Sequence, residues 1–105
     1  MLNPSFERFD WDQGDPAKCA AHGVTVDEIE GAFVSEAMMI VPDPKHSEDE
    51  DRYIAAGRTR SGRHLFVAFT FRTVDGRRAL RPITARYMHQ KEAQRYEQAR
   101  AQIEK

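Results

Sequence analysis

Three arginines stand at the ends of strand-like runs in the second half of this 105-residue chain: Arg52, Arg72 and Arg86. The guanidinium is a planar fork that donates two hydrogen bonds to paired oxygens, so it suits phosphate and carboxylate groups. Just past Arg86, the stretch ITARYMHQKEAQRY (83–96) adds His89, Lys91, Glu92, Arg95 and Tyr96. His89, Glu92 and Tyr96 are spaced i, i+3, i+7, which sets them along one face of a helix. A side chain titrating near neutrality can move a proton, and arginines can stabilise negative charge as it develops. Two readings of this stretch stay open: a solvated helix end, or a site for an anionic substrate.

Taken singly, each group also has a plainer reading. Arg52 can answer the acidic run before it, and Arg58, Arg60 and Arg63 flank a turn as solvated charges. His22, beside Gly23, can bond the last carbonyls of a helix. Tyr96 at helical spacing suits packing, and Cys19 suits burial as a small apolar side chain. The four histidines (22, 46, 64, 89) show no metal-ligand spacing.

The charge distribution bears on the choice. Net charge is −1. Residues 1–50 nevertheless carry twelve Asp/Glu against three Lys/Arg, and residues 51–105 carry five against thirteen. A split of −9 and +8 predicts a basic face able to hold nucleic acid or an acidic partner, unless the halves neutralise each other across the fold. Length predicts one domain over 1–105. No apolar run approaches the roughly 18 residues of a membrane span. The start, MLNPSFERFDWD, lacks the basic opening and apolar stretch of a signal peptide. One cysteine cannot form an internal disulfide, so a reducing cytoplasm is the expected setting.

The elements that must position these groups are legible from pattern. Phe6, Phe9 and Trp11 mark a short first strand. Pro16 opens a short helix to about Ala21, ended by His22-Gly23 with Gly23 in a left-handed conformation. Thr25 and Glu28 form a capping box for a second helix, whose apolar positions are Val26, Ile29 and Phe33. Met38–Val41 is a strand stopped by Pro42-Asp43-Pro44, and an acidic loop follows. Strands are expected at 52–59, 64–72 and 77–86. Arg60-Ser61-Gly62 makes the first turn between them and Asp75-Gly76 the second, a hairpin. The strand at 64–72 is apolar on both faces, which predicts a central position with helices on one side. Pro82 predicts an edge or a bulge. A helix from His89 to Ile103 closes an α+β domain, its helices packed on a mostly antiparallel sheet of four to five strands. Antiparallel pairing sets the start of one strand beside the end of its neighbour, so Arg52, Arg72 and Arg86 are expected to converge on one edge of the sheet.

Read in order, FDWD, AKCAAHGVTVDEIEGAF, VPDPKHSEDEDRYIAAGRTRSGRHLFVAFTFR and RPITARYMHQKEAQRYE resemble the BrnT family, from Phe6 to Glu97. The resemblance includes the His-Gly-Val step, the Asp-Arg strand opening, the Gly-Arg-Thr turn and the Thr-Ala-Arg strand end. These are toxins of bacterial type II toxin–antitoxin pairs, ribonucleases with a RelE-like fold. The resemblance implies RNA as substrate, cleaved without metal or cofactor, and a BrnA-like antitoxin as partner. It implies contact with DNA only through that antitoxin, and none with membrane. On it, His22 is an acid/base or phosphate donor, and Arg52, Arg72 and Arg86 are phosphate clamps. Glu92 and Tyr96 complete or orient the pocket. The family usually carries a lysine just before the histidine, where this chain has Ala21. That departure leaves a second expectation beside the ribonuclease: an attenuated, non-catalytic RNA- or partner-binding module on the same fold.

Overall fold

A computed structural model describes residues 6–11, 16–35, 38–46 and 51–103. Its frame is a five-stranded sheet. The strands are β1 (Arg8–Phe9), β2 (Met39–Pro42), β3 (Arg52–Arg58), β4 (His64–Val74) and β5 (Arg77–Tyr87), in the order β1-β5-β4-β3-β2. The helices are α1 (Pro16–Ala20), α2 (Val26–Ser35) and α3 (Gln90–Ile103), and a 3-10 turn spans Pro44–His46. The architecture is the expected α+β type, mostly antiparallel, with β1 joining β5 in parallel. The acidic run at 47–50 lies outside the described residues.

β4 lies at the centre because both of its faces are apolar. Leu65, Val67 and Phe69 are fully buried on one face. There they meet Cys19, Val24, Ile29 and Ala32 from α1, α2 and the turn between them. Phe33 stands edge-on to Phe69 with ring centroids 5.6 Å apart, and extends the core toward Phe6, Phe9 and Trp11. Gly57 leaves room on this face for the Met38 thioether, which would have to move if a Cβ stood there.

Local signals fix the connections. Glu28 N–H donates to Thr25 Oγ1 (3.1 Å) and Thr25 N–H to Glu28 Oε1 (3.1 Å), the reciprocal capping box. Gly23, with φ 81°, ends the α1 turn as its sequence requires. Asp75 and Gly76 both take positive φ, 53° and 76°, as a two-residue hairpin that follows sheet twist demands. Pro82 coincides with a register shift: Ala68 pairs with Thr84 and Phe69 with Pro82, so Ile83 is the extra residue of a bulge. Beside it, Arg81 Nε donates to the buried Asp10 carboxylate at 3.1 Å and ties the β1 segment to β5.

Two expectations are corrected. The helices do not share one side of the sheet. α1 and α2 cover the Leu65–Val67–Phe69 face, whereas α3 contacts the opposite face through His64, Arg58 and Arg86. The physical reason is that Phe66 and Ala68 also make that second face apolar, and α3 shields part of it. Nor do the three arginines meet on one sheet edge. Arg52 pairs with Thr70 near the end of β4, and Arg86 with Phe66 near its start. β3 and β5 both run antiparallel to β4, hence parallel to each other, and the start of one lies opposite the end of the other.

Candidate active site

The second face of the sheet carries alternate residues of three strands. Arg52, Ile54, Ala56 and Arg58 of β3 lie opposite Thr70, Ala68, Phe66 and His64 of β4. Thr84 and Arg86 of β5 pair with Ala68 and Phe66 on the same face. α3 is attached at one end of it. Tyr96 is buried, with its ring edge-on to His64 at 5.6 Å. Glu97 Oε2 lies 2.7 Å from His64 Nε2 and 3.7 Å from Arg58 Nη1. The His64 hydrogen bond, ahead of burial, sets the Glu97 carboxyl below its ordinary range.

Beside that attachment the face opens into a cleft of about 400 Å³. Ile54, Phe66, Ala68 and Thr84 line it from the sheet. Its titratable lining is His22, Asp43, Arg52, Arg86 and Glu92. Two apolar strands with small residues at Ala68 and Thr84 make a hollow. Long cationic side chains at its ends then reach in.

Arg86 and Glu92 are bound directly to each other. Arg86 Nη1 donates to Glu92 Oε1 at 2.8 Å and Nη2 to Oε2 at 2.9 Å, a two-pronged pair. Glu92 Oε1 also accepts the His89 backbone N–H at 2.8 Å. The carboxylate is therefore the third-position partner of a helix cap with His89 at its N-terminus. The Arg86 guanidinium, with the His89 N–H behind it, holds the Glu92 carboxyl down at about 2. The same pair raises Arg86, outweighing the opposing effect of burial. Glu92 is thus ionised throughout the neutral range and orients a permanent cation. Arg86 Nη1 also donates to the Tyr87 carbonyl at 3.3 Å, and its guanidinium stands 4.8 Å from the Phe66 ring.

His22 reaches the cleft from the turn after α1. Its N–H donates to the Cys19 carbonyl at 3.2 Å, and the Gly23 N–H to Ala20 at 2.9 Å, so the turn is closed by its own backbone. One hydroxyl docks that turn against β5. Tyr87 Oη lies 2.7 Å from Glu28 Oε1 and 3.1 Å from the Gly23 carbonyl, sharing its proton between them. Burial first, then the Glu28 bond, raises the Tyr87 hydroxyl. Burial pushes Glu28 up, but hydrogen bonds from Tyr87 and Thr25 outweigh it and leave the carboxyl lowered. Arg63 caps the assembly with its guanidinium 3.4 Å over the Tyr87 ring. Because Tyr87 follows Arg86 and Gly23 follows His22, the contact ties two cleft residues together.

Of the six residues singled out from sequence, His22, Arg52, Arg86 and Glu92 line one cleft. Arg72 lines a separate cavity of about 270 Å³ with Arg78. Tyr96 is buried under α3 and fastens the helix. Sequence reasoning passed over Asp43 and Phe66. Asp43 sits between two prolines and reads as a strand stop, yet its N–H donates to the Arg52 carbonyl at 2.9 Å, which brings it to the cleft. Phe66 reads as one more apolar strand residue. Its period-two position opposite Leu65, Val67 and Phe69 was the available signal. Among the described residues, no three His, Cys, Asp or Glu side chains are grouped to hold a metal ion. No helix among them is long and apolar enough to cross a membrane.

No curated protein and no solved structure matches this chain. A family model does, over residues 11–92, a span containing all four predicted residues of the cleft: the chain belongs to the BrnT family, the ribonuclease toxins of type II toxin–antitoxin systems.

Proposed function

We propose that the cleft cleaves RNA by internal transfer, without a metal ion, and that a BrnA-like antitoxin neutralises the protein. The observation that carries this reading is the convergence of His22, Arg52 and Arg86 on one cleft. In the proposed step a ribose 2′-hydroxyl attacks the adjacent phosphorus and the bond to the 5′-oxygen breaks. The products are a 2′,3′-cyclic phosphate and a 5′-hydroxyl. His22 moves a proton on or off the reacting oxygens, and Asp43 brings a second acid/base group to the same cleft. Arg52 and Arg86 meet the charge that grows on the phosphoryl oxygens, with Arg86 aimed by Glu92. Tyr96 acts indirectly, by keeping α3 and therefore Glu92 in place. Phe66 offers an aromatic surface against which a base can lie. In this reading the reaction is cytoplasmic, where the RNA substrate is translated.

The second reading, a binding module without catalysis, is favoured by Ala21 at the position where the resemblance implies a lysine. Ala21 is exposed beside His22, so Ala21→Lys adds a cation at the mouth of the cleft without disturbing the core. The deciding experiment is cleavage of end-labelled RNA in the presence of EDTA by wild type, His22→Ala, Arg86→Ala and Ala21→Lys. Wild type should give 2′,3′-cyclic ends, both alanine variants should lose roughly a hundredfold or more, and Ala21→Lys should be faster. RNA that is bound but left intact by both wild type and Ala21→Lys would establish the binding module instead.

A further inference from the structure

The second cavity is lined by Asp51, Tyr53, Thr70, Phe71, Arg72 and Arg78. It begins where the cleft ends. Arg52 lines the cleft, and its cross-strand partner Thr70 lines this cavity. The border is rigid, since Thr70 is buried and its hydroxyl donates to the Asp51 carbonyl at 2.6 Å. Arg78 is exposed, yet its guanidinium lies flat on the Phe71 ring, 3.7 Å from the centroid. Stacking fixes the plane of the fork while leaving its N–H edges directed outward. Tyr53 is the next ring, 5.7 Å from Phe71. Arg72 adds a second cation from the neighbouring strand, and Asp51 is the one carboxylate in the lining.

Cations interleaved with aromatic rings are what a single-stranded nucleic acid requires: charge for the backbone, a flat surface for a base. A site for an acidic peptide would need the cations without the rings. We infer that this Arg72–Arg78 cavity is a second RNA subsite, holding a nucleotide and its phosphates adjacent to those in the cleft. By register Tyr53, Phe71 and Arg78 lie on the Leu65–Phe69 side of the sheet and the cleft on the other. The strand therefore runs from Arg86 across Phe66 and Ala68 to Arg52, then turns about the start of β3, past Thr70 and Arg72, to reach Arg78. This assignment rests on the proposed RNA-cleaving cleft but concerns binding, so it is tested separately from cleavage. It also gives Arg72 a place in phosphate binding outside the cleft.

The test compares wild type with the Arg72→Ala/Arg78→Ala double variant on two probes. One is a single-stranded RNA long enough to pass both cavities, with 2′-O-methyl riboses so that it binds without being cut. The other is a cleavable dinucleotide that fills only the cleft. The variant should bind the long probe roughly tenfold or more weakly, because charge-assisted hydrogen bonds are lost. Its slope of log affinity against log salt should flatten by roughly 1.4, two phosphates at about 0.7 each. Its kcat and KM on the dinucleotide should stay at wild-type values. Arg78→Lys, which keeps the charge, should retain most of the slope. If the double variant does not fold by circular dichroism, Arg72→Gln alone should still flatten the slope by roughly 0.7. An unchanged affinity and slope on the long probe would overturn the subsite, and so would equal losses on both probes. A wild type that binds the long probe but does not cleave the dinucleotide would overturn the catalytic reading while leaving the subsite to the binding arm.

Discussion

Glu92 shows how far a residue's chemistry depends on its partners. A glutamate beside a histidine and a tyrosine invites an acid/base role, but here the carboxylate is held by Arg86 and the His89 N–H. Its folded-state value is lowered from 4.5 to about 2, so the Arg86–Glu92 contribution to stability is complete above the ordinary value. It is lost progressively as pH falls from that value through about 2. A carboxyl-detected NMR titration should find Glu92 still ionised at pH 4, where an unpaired glutamate is mostly protonated. A midpoint near 4.5 would remove the pair from the solution structure. Glu92→Gln should lower kcat roughly tenfold or more, with a smaller change in KM, because it loosens a group that acts on charge in the transition state. Unaltered kcat would mean that Arg86 needs no partner to hold its aim.

At the scale of elements, β4 and α3 differ sharply in how they are held. β4 is paired on both sides and buries Leu65, Val67 and Phe69 completely. Phe69→Ala should therefore cost roughly 3–5 kcal/mol in denaturant unfolding. A loss under about 1 kcal/mol would place the core elsewhere. α3, by contrast, buries one side chain, Tyr96, and otherwise depends on the Glu97–His64 and Glu92–Arg86 contacts. Tyr96→Ala should speed amide exchange throughout α3 while β4 stays protected, and should reduce cleavage because Glu92 leaves with the helix. Equal loosening of α3 and β4 would show that the helix is part of the cooperative core rather than a strap laid over it.

For the molecule as a whole, the charge split becomes a matter of surfaces. Part of the acidic half is consumed in pairing: Asp10 with Arg81, Glu7 with Arg77, and Glu28 with the Tyr87 hydroxyl. The basic half supplies the arginines of the two cavities described above. RNA binding should accordingly weaken with salt, and Arg86→Ala should flatten the log–log slope by roughly 0.7 for a single strand. An unchanged slope with unchanged affinity would take Arg86 off the binding surface. On the proposed function, the antitoxin covers this same basic region. Co-expression with the product of the adjoining gene should relieve any growth arrest that this protein causes alone.

The sequence by itself determined whatever depends on neighbours within a few residues. Thr25 and Glu28 cap a helix, Gly23 and Asp75-Gly76 turn the chain, and Pro82 marks a bulge, because each signal is a matter of local backbone geometry. The alternation around Phe69 located the central strand for the same reason. The ordered motifs from Phe6 to Glu97 identified the family, which a match over residues 11–92 bears out. Only the tertiary structure decided which of the candidate residues meet. That Arg52 and Arg86 enter one cleft from opposite ends follows from β3 and β5 running the same way beside β4. That Arg72 stands apart follows from its position past Thr70, beyond the Arg52 pair. Asp43 joined the cleft through a backbone hydrogen bond to a residue nine positions on, and Tyr96 left it by being buried. Strand direction and register across the sheet are long-range properties, and no local spacing encodes them.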